Sequence, residues 1–126
     1  MKITIDQITN KNVVHFSSPY GDCLGVWSAG KPQKGDYYVE LDVSQLEDSS
    51  VIQKTEDKTP ALRCENDVIF LRGLLEDYEE DGFLTLRLDD TCICVETPYD
   101  KRVEPLKGQF ITLTADCLYL YDGKLL

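Results

Sequence analysis

Apolar and polar residues alternate through most of this chain, and this period of two limits the fold more than any other feature. In a strand, successive side chains point to opposite faces, whereas an amphipathic helix needs apolar residues three and four positions apart. Hardly any long window of the sequence keeps the helical spacing. Segment 36–43 shows the strand pattern, with one apolar face formed by Tyr37, Val39, Leu41 and Val43. The chain is therefore predicted to be all-β and mainly antiparallel, with at most one short helix.

A three-stranded meander is predicted in the middle of the chain. Segment 67–75 leads to Asp81-Gly82, a dipeptide that accepts positive φ at both positions and favours two-residue type I′ hairpin turns. The return strand 83–88 aligns three leucines on one face. Asp89-Asp90 then lets the chain reverse into segment 91–96.

The remaining strands are predicted on both sides of this meander. Segments 109–114 and 117–121 are separated by Ala115-Asp116 and predict a second hairpin. Upstream, short strands are predicted at 2–5, 13–16 and 23–28. Ser44 and Glu47 have the spacing of a capping box, which allows one helical turn after Ser44.

The predicted strands belong to a single β domain covering residues 1–126, because no flexible linker or internal repeat divides the chain. So many strands in one small domain must close into a barrel or stack as a two-sheet sandwich. The part from about Asp36 onward resembles the oligonucleotide/oligosaccharide-binding (OB) barrel in strand count and order. The resemblance implies a fold and no particular function.

Negative charge is the second dominant feature of the sequence. The formal net charge is −10, which argues against direct binding of nucleic acid, because such a field repels phosphate. Region 65–100 holds eleven Asp and Glu residues but only two Arg. The density is greatest at the predicted hairpin tip 76–81, where five of six residues are acidic.

This concentration of charge predicts a surface for docking a basic protein, with two aromatic residues as apolar anchors. The predicted site comprises Glu76, Asp77, Tyr78, Glu79, Glu80, Asp81, Phe83, Asp89 and Asp90. The same charges could serve only to keep a strand end soluble and unpaired, and the sequence leaves this alternative open.

A second class of function rests on aromatic side chains. Tyr38, Tyr119 and Tyr121 are predicted on outward strand faces, where they could stack on a sugar or another small ligand. The alternative function is therefore an OB-like module that binds a small molecule or oligosaccharide in a cleft.

No catalytic signature is found, so the chain is predicted not to be an enzyme and to use no cofactor or metal. His15 is the only histidine, and no phosphate-binding loop or zinc-hydrolase motif occurs. Asp77-x-Glu79-x-Asp81-Gly82 begins like an EF-hand calcium loop, but Leu88 stands where the bidentate Glu is required.

The expected compartment is the cytoplasm, with no membrane association. The amino terminus lacks the apolar region of a secretory signal, and no apolar run is long enough to span a membrane. Five cysteines cannot all pair within one chain, and reduced thiols are expected. In its size, acidity and lack of catalytic residues, the chain resembles the small immunity proteins with which bacteria neutralise nuclease toxins. That resemblance implies an inhibitor that covers a positively charged cleft.

Overall fold

The computed structural model describes residues 1–9, 12–28 and 30–122, and strands dominate this part of the chain. Helical structure within it is limited to two 3₁₀ turns, Ser49–Val51 and Glu104–Leu106. The all-β prediction is confirmed. The strands, in chain order, are β1 Lys2–Ile8, β2 Val13–Ser18, β3 Gly21–Trp27, β4 Gly35–Val43, β5 Gln53–Lys54, β6 Ala61–Glu65, β7 Val68–Tyr78, β8 Phe83–Leu88, β9 Thr91–Glu96, β10 Phe110–Ala115 and β11 Leu118–Asp122.

Five strands form a closed barrel in the order β1-β2-β3-β11-β4, with β4 pairing back to β1. Most neighbours are antiparallel, but β11 runs parallel to β3 and antiparallel to β4. The barrel therefore consists of the first four strands and the last one. The sequence predicts an OB-like arrangement from Asp36 onward, whereas three of the five barrel strands, β1, β2 and β3, end before Asp36.

The second sheet has the order β5-β10-β7-β8-β9, and β6 also pairs with β7. The predicted meander of β7, β8 and β9 is confirmed. One edge of β7 pairs with β10, while its other edge pairs first with β6 and then with β8. Gly73 lies between these two partners, and a Cβ there would stand 2.5 Å from the carbonyl oxygen of Arg87.

The hairpin tip between β7 and β8 differs from the predicted type I′ turn. Glu79 donates its amide to the Phe83 carbonyl, and Gly82 donates to the Glu79 carbonyl, so three residues form the loop. Gly82 has a φ of +86°, but Asp81 is not in the left-handed region. Positive φ at two consecutive residues occurs instead at Asn66 and Asp67, in the turn between β6 and β7.

The predicted hairpin of segments 109–114 and 117–121 is wrong, because β10 and β11 lie in different sheets. After β10, Cys117 donates its amide to Ser44 Oγ, and its carbonyl accepts from the Ser44 amide. These bonds direct β11 along β4 instead of back along β10. The helical turn predicted after Ser44 is also displaced: Asp48 caps the turn Ser49–Val51 by accepting from the Ser50 amide.

The hydrophobic core is one cluster that draws on both sheets. The strand periodicity explains its membership, since the inward residues of β4 and β8 are those at alternate positions. Trp27 packs edge-on against Tyr37 with ring centroids 4.8 Å apart. The largest fully buried side chains are Phe16, Ile3, Ile5, Leu62, Leu71, Leu75, Leu84, Leu86, Leu88, Ile93, Ile111 and Leu113.

A pair of glycine substitutions separates backbone strain from steric conflict. Gly108 has a φ of +85° with no atom within 4 Å of an added Cβ, so Gly108→Ala should cost about 1–2 kcal/mol through backbone strain alone. Gly82 has a similar φ, but an added Cβ would stand 1.9 Å from the Thr97 carbonyl oxygen. Gly82→Ala should therefore cost at least about 3 kcal/mol in urea unfolding. Equal losses in the two variants would show that Thr97 does not hold the tip closely.

Candidate functional site

The acidic end of the β7–β8 hairpin is held against the loop that follows β9. Thr97 donates to the Gly82 carbonyl through both its amide, at 3.2 Å, and its hydroxyl, at 2.7 Å. Asp81 accepts from the Phe83 amide at 3.0 Å, which orders the turn itself. The tip is therefore fixed by hydrogen bonds on both of its sides.

An open depression at this end collects carboxylates from two segments of the chain. Glu79, Glu80 and Asp81 come from the hairpin, and Glu104 comes from the second 3₁₀ turn. Asp77, Tyr78 and Lys107 complete the lining. We call Glu79, Glu80, Asp81 and Glu104 the acidic tip. Among the residues that the structure describes, none of these four carboxylates has a Lys, Arg or His nitrogen within 4.0 Å.

Two other predicted acidic residues are neutralised within the molecule. Glu76 receives two hydrogen bonds from the Arg87 guanidinium, at 2.9 and 3.1 Å, and these bonds lower the pKa of Glu76. Lys107 lies 3.0 Å from Asp77 and is the main cause of the lowered pKa of that carboxyl. These two charges are less available to a partner than those of the acidic tip.

Tyr78 was expected as an exposed anchor, but it is only 2 % exposed and belongs to the core. A bulge between Leu75 and Asp77 interrupts the alternation of β7, so that Leu75 and Tyr78 both face inward. The Tyr78 hydroxyl accepts from the Asp100 amide at 2.9 Å. Tyr99 stacks on the Tyr78 ring at 5.5 Å and is 41 % exposed, so it provides the exposed aromatic surface at this end.

The remaining predicted residues lie away from the acidic tip. Phe83 is half-buried and lines another depression on the outer sheet face. Asp89 and Asp90 form the turn at the opposite end of β8, about 17 Å from the tip for a six-residue strand. Asp90 accepts from the Tyr20 hydroxyl, and burial together with this bond raises the pKa of Tyr20 to about 12. The nine predicted residues therefore do not form one surface.

The tyrosines of the alternative site lie on the outside of the barrel. Tyr38 is 61 % exposed and Tyr121 is 42 % exposed. Tyr121 pairs with Glu40, two residues from Tyr38 along β4, so these rings are diagonal neighbours on adjacent strands. Tyr119 lines the depression beside Phe83, whereas Tyr38 lines a different one with Lys2 and Asp36. Tyr38 and Tyr119 therefore line separate depressions on the outside of the barrel.

Three residues of the acidic end were not predicted from the sequence: Tyr99, Glu104 and Lys107. All three lie in the connection between β9 and β10, where the strand period ends and two prolines interrupt the chain. Pro98 and Pro105 predict a loop in this connection, but they do not indicate which strand end the loop covers.

The sole histidine is in contact with one carboxylate. His15 Nδ1 contacts Asp6 Oδ1 on the outer face of β1 and β2. In residues 1–9, 12–28 and 30–122, no three His, Cys, Asp or Glu side chains are grouped so that they could hold a metal ion. Nor does this part of the chain contain a helix long and apolar enough to cross a membrane.

No family model, curated protein or solved structure matched this chain. Its function is therefore inferred from the geometry and charge of the candidate site.

The two internal ion pairs can be tested separately by titration. Lys107→Gln should raise the pKa of Asp77 toward its ordinary value, and Arg87→Gln should do the same for Glu76 only. Both folded-state pKa values are lowered, so each carboxylate contributes stability above its unfolded pKa and loses it as the pH falls through the folded pKa. Each variant should therefore lose less stability in acid than the parent. Carboxyl chemical shifts followed by NMR measure the pKa values, and an unchanged Asp77 pKa in Lys107→Gln would contradict the assignment.

Proposed function

We propose that this chain is a non-enzymatic binding protein that docks a basic protein on its acidic tip. The observation that carries the proposal is the shared depression of Glu79, Glu80, Asp81 and Glu104. None of these carboxylates forms an ion pair with a described residue, and Lys107 in the same lining is paired with Asp77. Carboxylates that line one depression repel one another over the range of the Debye length, about 8 Å at physiological salt. Their mutual repulsion is relieved when a partner brings positive charge.

An aromatic contact beside the charges supports this proposal. Tyr99 is partly exposed and is held on the buried Tyr78 ring, with an angle of 17° between the ring planes. Its hydroxyl donates to Glu104 Oε1 at 3.1 Å. A tyrosine fixed in this way loses little side-chain entropy on binding, and aromatic residues are enriched among the energetically dominant residues of interfaces.

The class of partner follows from the chemistry of the surface. Carboxylates on a fixed scaffold can occupy positions that phosphates of a nucleic acid take in the cleft of a nuclease. We therefore propose an immunity or inhibitor protein that neutralises a bacterial nuclease-type toxin by covering its cleft. The cytoplasm is the proposed compartment, because the nucleic acid that needs protection lies there.

Charge reversal at the hairpin tests the docking surface. In the variant Glu79→Lys, Glu80→Lys, Asp81→Lys, the association rate with a basic protein captured from the native cell should fall by on the order of tenfold or more at low salt. The loss should shrink as salt is added, because screening removes the steering. Stopped-flow mixing at several salt concentrations measures both effects.

A matched control distinguishes the effect of the acidic tip on association from the effect of net charge. Asp22, Glu40 and Asp42 are exposed on barrel strands, and their replacement by Lys changes the total charge equally. This control should slow association much less than reversal of the tip. Equal slowing in both variants would mean that overall charge alone attracts the partner, and no slowing in either would refute docking at the tip.

A second candidate function is supported by the exposure of Tyr38 and Tyr121 on adjacent barrel strands. Two neighbouring rings on a strand face could stack on a sugar or another planar ligand. A thermal-shift screen with mono- and oligosaccharides tests it. Stabilisation that disappears in Tyr121→Ala, without capture of a basic protein, would favour this function over the first.

A further inference from the structure

Two cysteines from different sheets face each other where the barrel contacts the second sheet. Cys23 lies on β3 of the barrel, and Cys64 lies on β6 of the second sheet. Their sulfur atoms are 2.9 Å apart. A disulfide needs about 2.05 Å between its sulfurs, so an approach of less than about 1 Å closes the bond.

The backbone around this pair is already held in place. Leu62, two residues before Cys64, donates its amide to the Tyr20 carbonyl at 3.1 Å. Gly21 permits this close approach, because a Cβ at that position would stand 2.6 Å from the Leu62 carbonyl oxygen. The Leu24 amide donates to Cys64 Sγ at 3.1 Å and orients the sulfur toward β3. These hydrogen bonds between the barrel and the second sheet therefore hold both cysteines in position.

We propose that Cys23 and Cys64 are a site of reversible oxidation, which forms a disulfide between the barrel and the second sheet when the protein meets a small disulfide such as glutathione disulfide. The proposal is independent of the proposed function, because Cys64 pairs with Ile69 near the start of β7, whereas the acidic tip follows the far end of that eleven-residue strand. The bond would link residues that are 41 positions apart.

Exposure assigns the two sulfurs different roles. Cys64 is partly exposed and lines a largely apolar cleft between the barrel and the β6–β7 turn, so a small reagent can reach it. Cys23 is buried, and burial is the main cause that raises the pKa of its thiol. The Cys64 thiolate is therefore the sulfur that attacks first.

The exchange proceeds in two balanced steps. In the first, Cys64 loses its proton to solvent and attacks one sulfur of glutathione disulfide, which gives a mixed disulfide and one glutathione thiolate. In the second, Cys23 loses its proton and its sulfur attacks Cys64 Sγ, which releases the second glutathione. Two protein thiols are oxidised and one glutathione disulfide is reduced to two glutathione molecules.

The other cysteines offer a comparison within the same chain. Cys92 and Cys94 are two residues apart on the exposed face of β9, a spacing of roughly 7 Å with side chains that point the same way. That geometry does not meet the requirements of a disulfide. Cys117 lines the same cleft as Cys64, so it is the competing partner that an experiment must distinguish.

Peptide mapping of the full chain tests the proposal directly. After incubation with glutathione disulfide, a digest of the folded protein under non-reducing conditions should contain the Cys23–Cys64 peptide pair, and dithiothreitol should abolish it. The linked protein should melt on the order of 10 °C higher than the reduced protein, because the bond closes a long loop of the unfolded chain.

Serine variants provide the controls. Cys92→Ser with Cys94→Ser should still form the bond and show the same shift in melting temperature, whereas Cys64→Ser should show neither. A stable glutathione adduct on Cys64, a Cys64–Cys117 bond or five unmodified thiols in the parent protein would each overturn the proposal. The mapping of the parent protein decides the question even if a serine variant fails to fold.

Discussion

Closure of the barrel depends on β11, which occupies the gap between β3 and β4. Without it, both neighbouring strands would present unpaired amide and carbonyl groups. Two hydrogen bonds between Ser44 and Cys117, one accepted by the Ser44 hydroxyl and one donated by the Ser44 amide, start this arrangement, because they turn the chain away from β10 and onto β4. Since β10 pairs with β7 in the other sheet, the same short connection also ties the two sheets together.

The distribution of charge follows from this framework. Carboxylates along the strands of the second sheet find cations on neighbouring elements, as Glu76 does with Arg87 and Asp77 with Lys107. Those at the hairpin end form no ion pair with a described residue, because Lys107 beside them is paired with Asp77. The Thr97 contacts hold the hairpin end in place in spite of the repulsion between its carboxylates. The large shared core compensates for this unfavourable arrangement.

The sequence predicted what depends on local periodicity and could not predict what depends on distant pairing. The inward face of β4 and the meander β7–β8–β9 follow from alternation and turn residues, and both are confirmed. The separation of β10 from β11 depends on Ser44, which is remote in sequence. The acidic residues at the tip were predicted, but Glu104 and Tyr99 reach it through a loop whose path no local pattern encodes.

The bulge in β7 determines which side chains face the core in the acidic segment that follows Leu75. With regular alternation beyond Leu75, the next inward position would fall on Asp77, and the phenol ring of Tyr78 would face water. Because of the one additional residue in the bulge, the Tyr78 ring faces the core and the carboxylates of Glu76 and Asp77 face solvent. The bulge is therefore required at this point of the strand: if all residues were kept and the bulge were lost, a solvated carboxylate would turn toward the core.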